Sequence, residues 1–176
     1  QSGFKVMTEW QDIAGLNTQL GGPVLDFSLP AHYTRKKIRA MGRVAKFATL
    51  ATEHALIDAD LLGKDILTNG QTGIAYGSCS GSSAPLKAFA DVLEKRTTAG
   101  INATTYIKLM SHTTAVNAAL FFGLKGRVIT TSSACTSSSQ AIGYAYEAIK
   151  YGQQQVMIAG GAEELCPTQA AIFDTL

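Results

Sequence analysis

Charge is scarce in this sequence. Of 176 residues, 16% are Asp, Glu, Lys or Arg and 46% are hydrophobic; an ordinary soluble domain carries about 25% charge. The balance excludes a disordered chain, which needs the opposite composition. It points to one domain over residues 1–176 with much buried surface, including an interface between subunits or domains. A net charge of +2 argues against a dedicated nucleic-acid binder. Histidine and cysteine are also scarce, at three each. Cys79, Cys135 and Cys166 are odd in number and form no C-x-x-C pair. That spacing excludes a disulfide framework and a zinc site, so no metal or cofactor is expected. Reduced thiols fit a cytoplasmic protein. No apolar run reaches the roughly 18 residues of a membrane span, and the first residues lack the shape of a signal peptide. The chain begins without Met and stops just after a strand-like and turn-like segment. It reads as a piece of a longer protein.

Residues 1–30 promise only loops and short strands, with a turn at Gly21-Gly22-Pro23. Residues 34–60 read as one helix. Ile38, Met41, Val44, Ala48, Ala51 and Ala55 recur at steps of three and four, and Thr34 is a candidate N-cap. The opposite face carries Lys36, Arg39, Arg43 and Lys46 in one stripe. No carboxylate between Arg35 and Lys46 neutralises it, so the stripe is either a solvated face or a dock for an acidic partner. A buried strand is expected at 71–77, and a helix at 84–97 with Pro85 in its first turn. A small-residue helix at 111–122 should end at Gly123. Its Ala115, Ala118 and Ala119 would let another backbone approach closely. Strands at 127–131 and 155–161 flank a helix at 136–151. That is a βαβ unit with parallel strands, whose apolar runs suit a sheet covered on both faces. Cys166, before Pro167, falls in an expected loop and carries no role.

Cys135 falls just past a strand and just before a helix. A turn of this kind exposes a nucleophile. The positive end of the helix favours a negatively charged sulfur, and free N–H groups of the first turn can bind an oxyanion. A buried, inert thiol is the competing reading. Cys79, in Gly77-Ser78-Cys79-Ser80-Gly81, resembles the elbow of a hydrolase with Cys for Ser, a weak signal because glycines crowd any tight turn. His32, His54 and His112 show no motif. Glu163 and Glu164, after Gly160-Gly161, either orient the site or simply end a strand.

Ser132-Ser133-Ala134-Cys135-Thr136-Ser137-Ser138, with Ala141-Ile142-Gly143 and Ala159-Gly160-Gly161-Ala162-Glu163-Glu164, resembles the β-ketoacyl–acyl-carrier-protein synthases of types I and II. Arg35-Lys36-Lys37-Ile38-Arg39 looks like that family's basic helix, and the turn at 77–81 like its acyl-pocket turn. The resemblance implies an α/β, thiolase-like fold, a duplicated five-layer αβαβα arrangement of which this chain is most of the N-terminal half. It implies that Cys135 accepts an acyl group and that decarboxylated malonyl-carrier protein attacks the resulting thioester. It assigns carrier-protein docking to Arg35, Lys36 and Arg39, extended by Arg43 and Lys46. Ser80 would limit acyl-chain depth, Cys79 would line the pocket, and the protein would be a homodimer. The family's two histidines and lysine lie in a second half that this chain does not contain, and its first strand is missing too. Condensation by the chain alone is therefore not expected. The alternatives are an enzyme of the same fold acting on coenzyme A thioesters, a non-catalytic partner subunit that sets chain length, and a cysteine hydrolase using Cys79.

Overall fold

A computed structural model describes residues 2–176. In chain order the elements are β1 (Lys5–Val6), β2 (Leu20–Gly21), α1 (Arg35–Ile38), α2 (Arg43–Asp58), β3 (Thr72–Gly77), α3 (Leu86–Glu94), α4 (Thr105–Leu109), α5 (Thr113–Phe122), β4 (Val128–Thr131), α6 (Ser137–Lys150), β5 (Val156–Gly161) and α7 (Pro167–Phe173). They form two compact units, Pro30–Glu163 and Gln1–Leu29 with Glu164–Leu176. Among the described residues, no helix is long and apolar enough to cross a membrane.

The larger unit is built on a parallel sheet in the order β4-β3-β5. β3 lies at its centre and is buried at every residue. Successive strand side chains point to opposite faces. Ile74 and Tyr76 pack with Ala48 and Leu56 of α2 and Ala115, Ala118 and Ala119 of α5. Ala75 faces the other way, against Ala141 and Ala145 of α6. Full burial of Ile74 alone contributes about 1.5–3 kcal/mol. The small residues Ser137, Ala141, Ala145 and Ala148 form the buried stripe of α6, so the helix sits low on the sheet. Its outer stripe of Ile142, Tyr146 and Ile149 is exposed.

Several expectations need correction. The helix over 34–60 is two helices, because the chain leaves helical geometry before Gly42, an extended N-cap. The cations therefore do not share a continuous helical face. Arg35, Lys36 and Lys37 lie on α1, Arg39 ends it, and Arg43 and Lys46 open α2. Ala51 and Ala55 are exposed, while Thr49, Thr52 and Glu53 are buried. The two threonines meet their burial requirement locally, each donating 2.7 Å to a carbonyl one turn back. Ala115, Ala118 and Ala119 do let another backbone approach, that of α2, with whose Ala48 and Leu56 they share a buried cluster. The strands of the βαβ unit are parallel but not adjacent, since β3 lies between them. Each has one neighbour only, and Val128, Thr130, Ala159 and Gly161 are exposed. Cys166 lies in a loop as expected, in extended backbone, and α7 begins directly after it with Pro167 in the first turn, where its missing N–H costs nothing.

In the smaller unit, β1 and β2 pair antiparallel, and Met7, Trp10, Leu16 and Ala170 form a separate core. The Asp174 carboxylate accepts the N–H of Asn17 at 2.6 Å and of Thr18 at 2.7 Å, and the Thr18 hydroxyl at 2.5 Å.

Candidate active site

Cys135 lies on the five-residue turn between β4 and α6, beyond the C-terminal end of the sheet. Open parallel sheets receive their ligands at such strand ends. The turn's own hydroxyls build it. Ser137 Oγ donates to the Ala134 carbonyl at 2.7 Å and accepts the Ser133 N–H at 2.9 Å. Thr136 Oγ1 donates to the Ser133 carbonyl at 2.7 Å, and Thr131 Oγ1 to that of Ser137 at 2.8 Å. These bonds hold Ala134 at φ +50°, left-handed backbone that costs a non-glycine residue about 1–3 kcal/mol. Cys135 comes next and is exposed.

Two glycines let α6 reach the strand ends. A Cβ on Gly77 would collide with the backbone of Ser137 and Ser138, and one on Gly161 with the Ser138 side chain and, at 2.6 Å, the carbonyl of Gly77. The start of α6 is thereby pressed against β3 and β5, and Cys135 stands at the rim this creates.

Cys79 and Ser80 lie on the neighbouring turn, after β3. Cys79 is exposed and Ser80 half-buried. Ser132 Oγ donates to the Cys79 carbonyl at 3.3 Å, which brings the two cysteine turns together. From the end of β5, the Glu163 carboxylate accepts the backbone N–H groups of Cys79 and Ser80 and contacts the Ser78 hydroxyl. Glu163 is exposed as a residue, but loss of solvent around its carboxyl raises its pKa above the usual carboxylate range, against those hydrogen bonds. The sequence marks Glu163 as an acid two residues after the glycines of a strand end, without revealing these partners. No helix follows Cys79 at once, since α3 begins only at Leu86; a hydrolase elbow needs strand, turn and helix in immediate succession.

The basic residues sit elsewhere in this unit. Lys37 Nζ lies 5.2 Å from the ring centroid of Phe121 on α5, Tyr33 stacks on that ring at 4.5 Å, and the Arg43 guanidinium covers Phe47 at 4.9 Å. Among the described residues, no carboxylate lies within 4.0 Å of Arg35, Lys36, Arg39 or Lys46. A cavity of about 460 Å³ opens beside this region, between His32, Lys37, Glu53, Leu67, Phe121 and Phe122. His32 Nε2 meets the buried Glu53 at 2.6 Å. His112 precedes the first residue of α5, its ring tilted and 6.3 Å from that of Tyr106, and His54 is exposed on α2.

Residues 5–176 match the family model of the beta-ketoacyl synthase N-terminal domain. The chain belongs to the β-ketoacyl synthase family. It is 31% identical over 177 residues to 3-oxoacyl-[acyl-carrier-protein] synthase 1 of Haemophilus influenzae, covering 100% of this chain and 43% of that protein. The crystal structure of a β-ketoacyl synthase from Burkholderia phymatum matches with a TM-score of 0.95 and 47% identity, over 99% of this chain and 43% of that one. A type II polyketide ketosynthase, bound to a hexaketide and in complex with its acyl-carrier protein, matches with a TM-score of 0.72 and 25% identity over 85% of this chain and 43% of its own. This ketosynthase chain thus has the thiolase-like α/β fold of the family's N-terminal half and spans less than half the length of these relatives. Cys135 and its turn from β4 to α6 fall inside the stretch that the family model matches.

Proposed function

We propose that the protein is a 3-oxoacyl-acyl-carrier-protein synthase with Cys135 as its acyl acceptor. The observation that carries this reading is an exposed thiol on a hydroxyl-braced turn at the C-terminal end of a parallel sheet, directly before a helix. The Cys135 sulfur attacks the carbonyl of an acyl thioester, and the carrier thiol leaves with the proton. A malonyl thioester then loses carbon dioxide. Its carbanion forms the new carbon–carbon bond to the acyl carbonyl, and the bond to sulfur breaks. The reaction extends the chain by two carbons in fatty-acid or polyketide synthesis.

An acyl-carrier protein is the proposed partner. A ketosynthase of the same fold is held in complex with one, and Arg35, Lys36 and Arg39 are exposed, with no carboxylate in reach among the described residues. Arg43 and Lys46 extend that docking surface in the same reading. Opposite charge there would speed encounter and set specificity. Ser80, on the turn bonded to the nucleophile turn, is the proposed limit on acyl-chain depth. A cytoplasmic homodimer completes the reading, supported by the low charge fraction and the free cysteines.

Intact-protein mass spectrometry after incubation with cerulenin or an acyl-carrier thioester tests the assignment. One adduct is expected, absent in Cys135→Ala. An adduct that survives Cys135→Ala and vanishes in Cys79→Ala overturns it.

A further inference from the structure

The turn at 78–80 has a feature that its place beside the nucleophile does not require. Two successive N–H groups, of Cys79 and Ser80, point at one spot, and successive amides of this kind make an anion-binding concavity. In a turn with an exposed cysteine, water would satisfy them. Here a side chain from a different strand end, 84 residues along the chain, fills the concavity instead. The Ser78 hydroxyl reaches the same carboxylate and also the Ser80 carbonyl at 2.8 Å, with one proton for the two acceptors. The Gly77 carbonyl accepts the Ala162 N–H at 3.2 Å, which tightens the same junction of strand ends. On the other side of the turn, the Cys79 carbonyl accepts Ser132 Oγ. A continuous hydrogen-bonded path therefore runs from Glu163 through the Cys79 peptide to Ser132, three residues before Cys135.

We propose that Glu163 is a positioning residue, whose carboxylate plugs the amide concavity of residues 79–80 and so fixes the turn that selects the acyl chain delivered to Cys135. The proposal rests on the reading of Cys135 as acyl acceptor. A carboxylate suits the task because its two oxygens are acceptors only. The substitution Glu163→Gln turns one of those oxygens into an NH₂ group, which would face N–H donors. Glu163→Asp keeps the charge on a shorter arm.

The test is acylation of the full-length protein by saturated acyl-carrier thioesters of graded length, with kcat and KM resolved for each. Wild type, Glu163→Gln, Glu163→Asp and Glu163→Ala are compared, with alkylation by iodoacetamide as a length-independent measure of the Cys135 thiol. In Glu163→Gln, kcat/KM for the preferred length should fall about tenfold, the length profile should flatten, and alkylation should stay within about twofold of wild type. Glu163→Asp should recover part of the profile, and added formate should restore part of it in Glu163→Ala by entering the vacated concavity. An unchanged profile in Glu163→Gln overturns the proposal. So does a fall in alkylation that matches the fall in acylation at every length, because the turn then supports only the fold. Should Glu163→Gln not fold, Glu163→Asp and the formate dependence of Glu163→Ala decide. An acyl adduct that persists in Cys135→Ala refutes the nucleophile assignment instead, and is read independently of any Glu163 variant.

Discussion

Ser132 Oγ donates a hydrogen bond to the Cys79 carbonyl, 53 residues away in sequence, and so joins the two turns that bear the exposed cysteines. At 3.3 Å the bond is long and near solvent. Ser132→Ala should therefore cost at most about 1 kcal/mol of stability while lowering acylation of Cys135. Urea unfolding measures the first effect and intact mass over time the second. Loss of stability without loss of acylation would show that the two turns act separately.

Gly77 and Gly143 should respond oppositely to alanine. At Gly77 the new methyl meets the backbone of Ser137 and Ser138, which cannot rotate away. Overpacking of this kind costs about 1–3 kcal/mol, and the start of α6 must lift, carrying Cys135 with it. At Gly143, inside α6, nothing lies within 4 Å, and alanine should stabilise the helix by about 0.5–1 kcal/mol. Denaturation midpoints of the two variants give the comparison.

Ala134 sets a third expectation. Its φ of +50° is poorly tolerated by a β-branched residue. Ala134→Val should destabilise by about 1–3 kcal/mol and slow alkylation of the adjacent thiol. Ala134→Gly removes the strain and should retain the wild-type alkylation rate. Equal rates in all three proteins would dissociate this backbone geometry from reactivity.

Glu53 is a buried carboxylate whose side chain is 8% exposed, paired with the half-exposed His32. His32→Ala leaves that carboxylate short of a donor, at an expected cost of about 1–3 kcal/mol. Recovery of stability in His32→Ala with Glu53→Gln would assign the loss to the unpaired charge. A double-mutant cycle measured by thermal unfolding gives the coupling.

Asp174 predicts a pH dependence. Hydrogen bonds from the Thr18 side chain and the Asn17 backbone lower its carboxyl pKa, outweighing desolvation. A depressed folded-state value stabilises the protein above the unfolded carboxylate pKa of about 3.9, and the contribution disappears as pH falls through the folded value. The stability of wild type should decline over that acid range more steeply than that of Asp174→Asn. Parallel curves would refute the clasp between Asp174 and residues 17–18.

Much of the larger unit is legible in the sequence because its signals are local. Runs such as Val128–Thr131 and Val156–Gly161 mark strands, and Gly123, at φ +67°, ends α5 as a left-handed cap. The same signals place Cys135 between a strand and a helix, as it lies between β4 and α6. The break before α2 is less legible, since apolar spacing continues across Gly42 while the backbone does not. The buried face of α2 also escapes a hydrophobicity pattern. Thr49 and Thr52 look polar, yet they hide their hydroxyls against their own helix. Glu163 could be suspected but not explained, because its partners arrive from the turn after β3 through tertiary contact alone.

The turn at residues 132–136 also bears on how the protein reaches its native state. Residues 132–136 owe their shape to local hydroxyls, but their surroundings come from β3 and β5, far apart along the chain. Long-range parallel pairing forms late because loop closure precedes its reward. Cys135 should therefore react as an ordinary flexible thiol early in refolding and acquire its final reactivity only when the three strand ends meet. A brief pulse of thiol reagent, applied at successive times after dilution from denaturant, would use Cys135 as a built-in clock for closure of the sheet.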